Sequence, residues 1–186
     1  MRTRAIRVFV SVALLALLAA PISTQEDRRH KELPNFHKVN DMVYRGAQPK
    51  SGGLELLKQL GIKTVVSLRD DDARAKLEEA GARMAGLQYF NLPFERWGRP
   101  QDKEMEQVLS IINNPANQPV FVHCKHGADR TGVVIAVYRI THDGWTSQQA
   151  KAEAKRYGLK PWQIGMKDYI HDFHKRQTAP TIQRNP

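Results

Sequence analysis

The chain has 186 residues, of which 41% are hydrophobic, and this is enough apolar material for the core of one globular domain. The composition excludes an intrinsically disordered chain, and we expect no second domain. A single cysteine excludes an internal disulfide, and the formal net charge of +10 favours anionic partners.

The first predicted element is an apolar segment near the N-terminus. Arg2, Arg4 and Arg7 precede a mostly apolar run over residues 8–20, in the pattern of a secretory signal peptide. The run is shorter than the roughly 20 residues that a membrane span requires. We therefore expect residues 1–24 to be a signal peptide, with an uncleaved anchor in the inner membrane as the alternative. In both cases the domain would be exported, as a periplasmic or secreted protein.

Short apolar strands then alternate with helices. Val65 and Val66 form the β-branched centre of one strand, and Asp71 or Asp72 is placed to cap the helix that follows. Gly81 is expected to end that helix. Strands are predicted at 42–44, 63–68 and 88–92, and helices at 53–60 and 72–80.

The second half of the domain continues the alternation. Apolar residues spaced by three or four predict a helix that Asn114 and Pro115 end. Further on, Val120 to Val122 form a short buried strand before a glycine-containing loop. The predicted elements are a loop at 93–100, a helix at 101–113, a strand at 120–122, helices at 133–140, 147–157 and 161–176, and a polar tail at 177–186.

This order of elements predicts a three-layer α/β/α domain over residues 36–176, with a central, mostly parallel sheet flanked by helices. Such sheets bind ligands beyond the carboxyl ends of their strands. We therefore expect the loop after residue 122, the turn at 69–71 and the loop at 93–100 to surround one opening.

The most informative motif lies in the loop at 123–132. It reads His-Cys-Lys-His-Gly-Ala-Asp-Arg-Thr-Gly and places the only cysteine, Cys124, six positions before Arg130. The start of a helix has unpaired backbone N–H groups and the positive end of the helix dipole. These features bind a phosphate dianion and lower the pKa of a nearby thiol. The motif therefore predicts phosphate-ester chemistry with Cys124 as a thiolate.

The same residues resemble the signature of cysteine-dependent protein tyrosine and dual-specificity phosphatases. Residues 43–49 and 60–69 are similar to the opening segments of small bacterial and of fungal or plant atypical dual-specificity phosphatases. The resemblance implies the protein tyrosine phosphatase-like fold and a reaction without metal or cofactor. Cys124 would attack phosphorus to form a phosphocysteine, Arg130 would clamp two oxygens, and Thr131 would hydrogen-bond the departing sulfur.

The rest of the loop would bind the phosphate group. Glycine at 127 permits a positive φ and a close approach of the backbone to the anion. His123 is expected to orient the loop and support the thiolate, while Arg45 is interpreted as a surface or capping residue. The predicted phosphate-binding residues are Lys125, His126, Gly127, Ala128 and Thr131.

The resemblance also implies a carboxylic acid that protonates the leaving group, usually an Asp about thirty residues before the cysteine. The chain departs from this pattern, because residues 92–99 contain no Asp. Asp129 is the favoured candidate, since its position before Arg130 resembles the loops of myotubularin-like and bacterial triple-specificity phosphatases. Asp102 and Glu95, which lie 22 and 29 residues before Cys124, remain alternatives.

We therefore predict a metal-independent phosphatase that acts on phosphotyrosine or dual-specificity protein substrates through a phosphocysteine. The alternatives are a phosphatase of phosphoinositides or inositol polyphosphates, and a non-catalytic phosphate-binding module. A rhodanese-like sulfurtransferase is disfavoured because the Arg-Thr-Gly ending fits it poorly. Nucleic acid is disfavoured as a partner, because the basic residues are scattered among acidic ones and no zinc-ligand spacing is present. Membrane attachment is expected only through an uncleaved N-terminus.

Overall fold

The computed structural model describes residues 30–179 and contains a central five-stranded sheet. The expected signal peptide and most of the polar tail lie outside the described residues. The order across the sheet is β1-β2-β5-β3-β4; β1 is antiparallel to β2, and the other neighbours are parallel. The strands are β1 (His37–Lys38), β2 (Val43–Ala47), β3 (Thr64–Ser67), β4 (Gln88–Asn91) and β5 (Val120–Cys124).

Helices cover both faces of this sheet. The packing follows from strand alternation, because successive side chains point to opposite faces. Val65 and Phe121 pack in one cluster with Leu57, whereas Val66 and Val122 belong to a larger cluster on the other face. The helices are α1 (Gly53–Gln59), α2 (Ala73–Met84), α3 (Asp102–Ile112), α4 (Asp129–Asp143), α5 (Ser147–Arg156) and α6 (Ile164–Thr178), with a 3-10 helix at Pro115–Asn117.

The first two helices cover one face, and the last four cover the other. The predicted three-layer α/β/α fold is therefore confirmed. Within residues 30–179, no helix has both the length and the apolar character that a membrane crossing needs.

The largest difference from the predicted elements is in α2. The helix begins as expected, because the Asp72 carboxylate accepts hydrogen bonds from the backbone N–H groups of Arg74 and Ala75. The prediction that Gly81 ends it was wrong. A Cβ at Gly81 would lie 2.9 Å from Leu54 Cδ1, so this glycine allows close packing of α1 on α2 and does not act as a helix stop.

Other boundaries differ by a few residues. The helix predicted from residue 133 begins at Asp129, because the end of the loop already has helical geometry. The antiparallel strand β1 was not predicted, since two residues are too short to show a pattern. Helix α6 begins at Ile164 and ends at Thr178, so the tail predicted from residue 177 starts inside its last turn.

Candidate active site

The nucleophile candidate is the last residue of a central strand. Cys124 ends β5, which lies between β2 and β3, and its side chain is only 4% exposed. Helix α4 begins five residues later, and its first backbone hydrogen bond runs from Gly132 N–H to the Ala128 carbonyl, 2.6 Å. The connecting residues therefore form a short loop between a strand end and a helix start, as the motif predicted.

Glycine at position 127 is required on two grounds. Its φ is +65°, in the left-handed region that disfavours side chains. A Cβ there would also lie 2.4 Å from the carbonyl carbon and oxygen of Gly46 on β2. The backbone of the loop thus rests directly on the backbone of the neighbouring strand.

Two polar side chains hold the loop in this position from outside the motif. Asn35 Nδ2 donates to the carbonyls of His126 and Gly127, both at 3.1 Å. Arg45 Nη2 donates to the Gly127 carbonyl at 2.8 Å. Both residues lie more than 80 positions before the carbonyls that they bind, and the pairing of β2 with β5 brings the two segments together.

Arg45 is fully buried, which corrects its interpretation as a surface or capping residue. Its guanidinium stacks on the Tyr157 ring, with 4.5 Å between Cζ and the ring centroid. Burial lowers the pKa of Arg45 to about 10, while the nearby Glu153, Tyr157 and Cys124 favour its charged form. No pattern in the sequence distinguishes this arginine from a surface one.

Arg130 is fixed at the opposite side of the opening. Its Nη1 donates to the Leu68 carbonyl at 2.9 Å and to the Phe94 carbonyl at 3.2 Å, and lies 3.7 Å from Asp70 Oδ1. All three contacts involve Nη1, which leaves Nε and Nη2 as donors for an anion. The guanidinium is therefore held in the orientation that a bidentate phosphate contact needs.

The remaining loop residues divide between the interior and the rim. Ala128 is buried at the start of α4, and Lys125 and His126 are exposed. The Thr131 side chain is fully buried, and its hydroxyl has no hydrogen-bond partner among the described residues. An unpaired buried hydroxyl is costly, and the role predicted for Thr131, donation to the departing sulfur, would satisfy it.

The three acid candidates occupy different environments. Asp129 accepts the backbone N–H of Lys160 at 2.8 Å and so ties the α5–α6 connection to the loop. Asp102 accepts the Tyr169 hydroxyl at 2.8 Å and Arg176 Nη2 at 2.9 Å. Both aspartates therefore already serve structural contacts.

Glu95 has a different setting. It is exposed and lines a cavity of about 360 Å³ together with Asp70, Arg96 and Trp97. The preceding residue, Phe94, is the one whose carbonyl accepts Arg130 Nη1. Glu95 therefore follows directly on a residue in contact with Arg130.

Asp70 was not a candidate in the sequence, although the turn that contains it was expected at the opening. Its Oδ2 accepts Nε and Nη2 of Arg96 at 3.1 and 2.9 Å, and Oδ1 lies near Arg130. The hydrogen bonds from Arg96 are the largest cause that lowers the pKa of Asp70, and the charge of Arg130 acts in the same direction. A carboxylate held in its ionised form is suited to orienting Arg130 and not to donating a proton. Its position directly beyond the end of β3 is the signal that could have identified it.

A second cavity lies beside the loop on its basic rim. It has a volume of about 430 Å³, and Lys125 and His126 belong to its lining. Among the described residues that line it, none is acidic. The other cationic residues in the lining are Lys50, Arg69 and Arg74.

Over residues 30–179, no group of three or more His, Cys, Asp or Glu side chains could hold a metal ion.

The geometry defines a class of protein. It is a three-layer α/β protein in which one loop joins a cysteine at the end of a central strand to an arginine in the first turn of the next helix. A family model described as DSP-PTPase phosphatase fused to NAD+ kinase matches residues 18–172. The chain belongs to this family.

Individual relatives agree with this assignment. Dual specificity protein phosphatase TpbA of Pseudomonas aeruginosa (strain UCBPP-PA14) is 38% identical over 126 residues, which are 67% of this chain and 55% of TpbA. Inositol diphosphatase DSP4 of Arabidopsis thaliana is 28% identical over 109 residues, which are 56% of this chain and 54% of DSP4. The chain thus spans about half the length of these curated relatives.

A solved structure supports the fold. The crystal structure of a P. aeruginosa TpbA variant in complex with phosphotyrosine has a TM-score of 0.63 and 30% sequence identity to the chain. The similarity covers 78% of this chain and 91% of that one.

Proposed function

We propose that the protein is a cysteine-dependent phosphatase that hydrolyses phosphate monoesters without a metal ion. The observation that carries the proposal is the loop that joins Cys124, at the end of β5, to Arg130, in the first turn of α4. Arg130 is held by the Leu68 and Phe94 carbonyls with two donor positions left over. A buried thiol opposite a fixed guanidinium is suited to phosphoryl transfer.

The reaction would have two steps. The Cys124 thiolate attacks phosphorus, the bond from phosphorus to the ester oxygen breaks, and a carboxylic acid gives that oxygen its proton. Arg130 holds two phosphoryl oxygens throughout, and the helix start of α4 stabilises the negative charge. Water then attacks the phosphocysteine and gives its proton to the same carboxylate. The sulfur–phosphorus bond breaks, with Thr131 donating a hydrogen bond to the departing sulfur.

We propose Glu95 as the acid in preference to Asp129, the candidate favoured from the sequence, and to Asp102. Glu95 lines a cavity together with Asp70, which lies near Arg130, whereas both aspartates accept structural hydrogen bonds. Asp70 would remain ionised and orient Arg130.

The proposed substrates are phosphotyrosine and dual-specificity protein substrates. The relatives' names support this class, since TpbA is a dual specificity protein phosphatase and one TpbA structure contains phosphotyrosine. The pocket geometry favours a second candidate, a phosphoinositide or inositol polyphosphate. The cavity beside Lys125 and His126 adds three further cationic side chains and suits a substrate with a second phosphate group.

Hydrolysis of p-nitrophenyl phosphate by the wild type and its loss in Cys124→Ser test the activity. Phosphate binding without turnover would support the non-catalytic alternative instead, and thiosulfate cleavage would support a sulfurtransferase. Trapping with a ³²P-labelled ester should yield a sulfur-linked phosphate in the wild type. An active Cys124→Ser variant would contradict the proposal.

The substrate class can be tested with the basic cavity. We expect Lys50→Ala combined with Arg74→Ala to raise KM for an inositol polyphosphate about tenfold or more if that class is the substrate, because two of the cavity's cations are lost. The KM for a phosphotyrosine peptide with no other charge near the phosphate should change less than twofold. Lys103→Ala, on the exposed side of α3, is the control.

We also propose, from the sequence pattern alone, that residues 1–24 direct export of the domain to the periplasm or the medium. N-terminal sequencing of the mature protein and cell fractionation test this. A protein that keeps its N-terminus and fractionates with the inner membrane would support the anchored alternative.

A further inference from the structure

The sheet face opposite the thiol carries a buried polar pair. His123 and Cys124 are successive residues of β5, so their side chains point to opposite faces of the sheet. His123 is fully buried, and its ring stacks on Phe121, with 5.6 Å between the centroids. Its Nε2 lies 3.2 Å from Oε1 of Glu78, whose side chain is also buried.

Both atoms are fully buried, and neither His123 Nε2 nor Glu78 Oε1 has a hydrogen-bond partner among the described residues. Their 3.2 Å approach is therefore a close polar contact without hydrogen-bond geometry. The second carboxylate oxygen, Oε2, accepts the Tyr89 hydroxyl at 3.2 Å and Gln48 Nε2 at 3.4 Å. The carboxyl group of Glu78 is thus fixed from one side and faces His123 on the other.

We propose that Glu78, on α2, is a positioning residue that orients the His123 ring and, through the backbone of β5, sets the position and reactivity of Cys124. The proposal rests on the proposed function for its catalytic meaning, but the contact itself does not depend on it. The contact of Glu78 with β5 is the one to His123, so we expect its effect on Cys124 to pass through that ring.

Burial favours the neutral form of both groups. Burial raises the pKa of Glu78 to about 7, against the opposing effects of Tyr89, Arg69 and Gln48. Burial lowers the pKa of His123 to about 3, assisted by Arg69 and Arg130 and opposed by the backbone of Cys124. Arg69, Arg130 and the Cys124 backbone are the charged or polar groups that face His123 besides Glu78. Replacement of Glu78 would remove the carboxylate that lies against the His123 ring.

The test is Glu78→Gln, with Glu79→Gln as the matched control. Glu79 is the next residue on the same helix, and its carboxylate pairs with Arg83 at the surface. We measure the pH dependence of Cys124 alkylation by iodoacetate and the steady-state kinetics with p-nitrophenyl phosphate. In the wild type, ionisation of Glu78 should add a step near pH 7 to the alkylation profile. Glu78→Gln should remove that step, and Glu79→Gln should keep it.

The kinetics should separate positioning from simple packing. We expect Glu78→Gln to lower kcat about tenfold, because the nucleophile is displaced, with KM within twofold of wild type. The Glu78→Gln/His123→Gln double variant should be no slower than His123→Gln alone, because both changes break one route. Additive losses, or a lower melting temperature with unchanged kcat and alkylation profile, would overturn the proposal.

Alkylation requires no turnover. A wild type that shows the pH 7 step but hydrolyses no phosphate ester would contradict the phosphatase function and leave the role of Glu78 standing. A wild type that hydrolyses the ester without the step would support the phosphatase function and contradict the role of Glu78.

Discussion

At the scale of single residues, the guanidinium of Arg130 is the group whose shape matters most. Its three contacts through Nη1 fix a planar fork and keep two donors for the phosphoryl group. A lysine in its place would keep the charge but lose both the fork and the contacts. The charge alone is therefore insufficient for the proposed chemistry.

We accordingly expect Arg130→Lys to lower kcat/KM for p-nitrophenyl phosphate about 100-fold or more, by analogy with removal of a transition-state donor. Arg83→Lys, at the surface of α2, should leave it unchanged. Near-normal turnover of Arg130→Lys would show that the bidentate contact is unnecessary.

The acid can be identified from leaving-group dependence. Glu95→Gln should lower kcat about 100-fold for phenyl phosphate, whose leaving group needs a proton, and much less for p-nitrophenyl phosphate. Asp129→Asn and Asp102→Asn should lower thermal stability without this selectivity, since both accept structural hydrogen bonds. If Asp129→Asn shows the selectivity instead, Glu95 is not the acid.

At the scale of elements, the contact between the loop and β2 determines the shape of the site. Gly127 needs its positive φ, and a Cβ at this position would also collide with the backbone of Gly46. These two requirements can be separated, because Gly144, at the end of α4, has a similar φ of +68° and nothing within 4 Å of an added Cβ.

We expect Gly144→Ala to cost about 1–2 kcal/mol of unfolding free energy from backbone strain alone. Gly127→Ala should cost about 2–4 kcal/mol, since steric overlap with β2 is added. It should also lower phosphatase activity far more than Gly144→Ala does. Chemical denaturation and kinetics of both variants measure the difference. Equal effects would mean that the loop shifts readily to accommodate the added Cβ.

At the scale of the whole molecule, the Glu78–His123 pair links stability to pH. The folded protein keeps the Glu78 proton up to about pH 7, whereas the unfolded chain loses it near 4.5, so this group makes stability fall as pH rises through that window. Folding excludes the His123 proton down to about pH 3, whereas the unfolded chain binds it below 6.5, so this group makes stability fall as pH decreases. Between pH 4.5 and 6.5 the two effects oppose each other.

Single variants should reveal each effect. Glu78→Gln should lose unfolding free energy as pH falls from 6.5, and His123→Gln should lose it as pH rises from 4.5 to 7. Each slope approaches roughly 1.4 kcal/mol per pH unit. Urea denaturation at several pH values measures them, and slopes of the same sign in both variants would contradict the paired ionisation.

The sequence predicted the layers, the strand–loop–helix setting of Cys124 and a helix cap at Asp71 or Asp72, because these follow from local periodicity and short motifs. It did not reveal Arg45, Asn35 or Glu78, since their contacts with the loop or with His123 depend on strand pairing between distant segments. Gly81 was misread because a glycine that ends a helix and one that permits close helix packing look alike in a sequence.

The contact between the loop and β2 has a consequence for how the candidate active site forms. The residues of the loop are synthesised long after β2, yet contacts with β2 hold the loop in its shape. One of these contacts joins Arg45 to Gly127, which lie 82 positions apart. A C-terminal fragment that begins after residue 50 would contain the whole motif but would lack β2. We therefore expect its loop not to form the anion-binding site. Transfer of the motif to another protein would likewise require the transfer of β2.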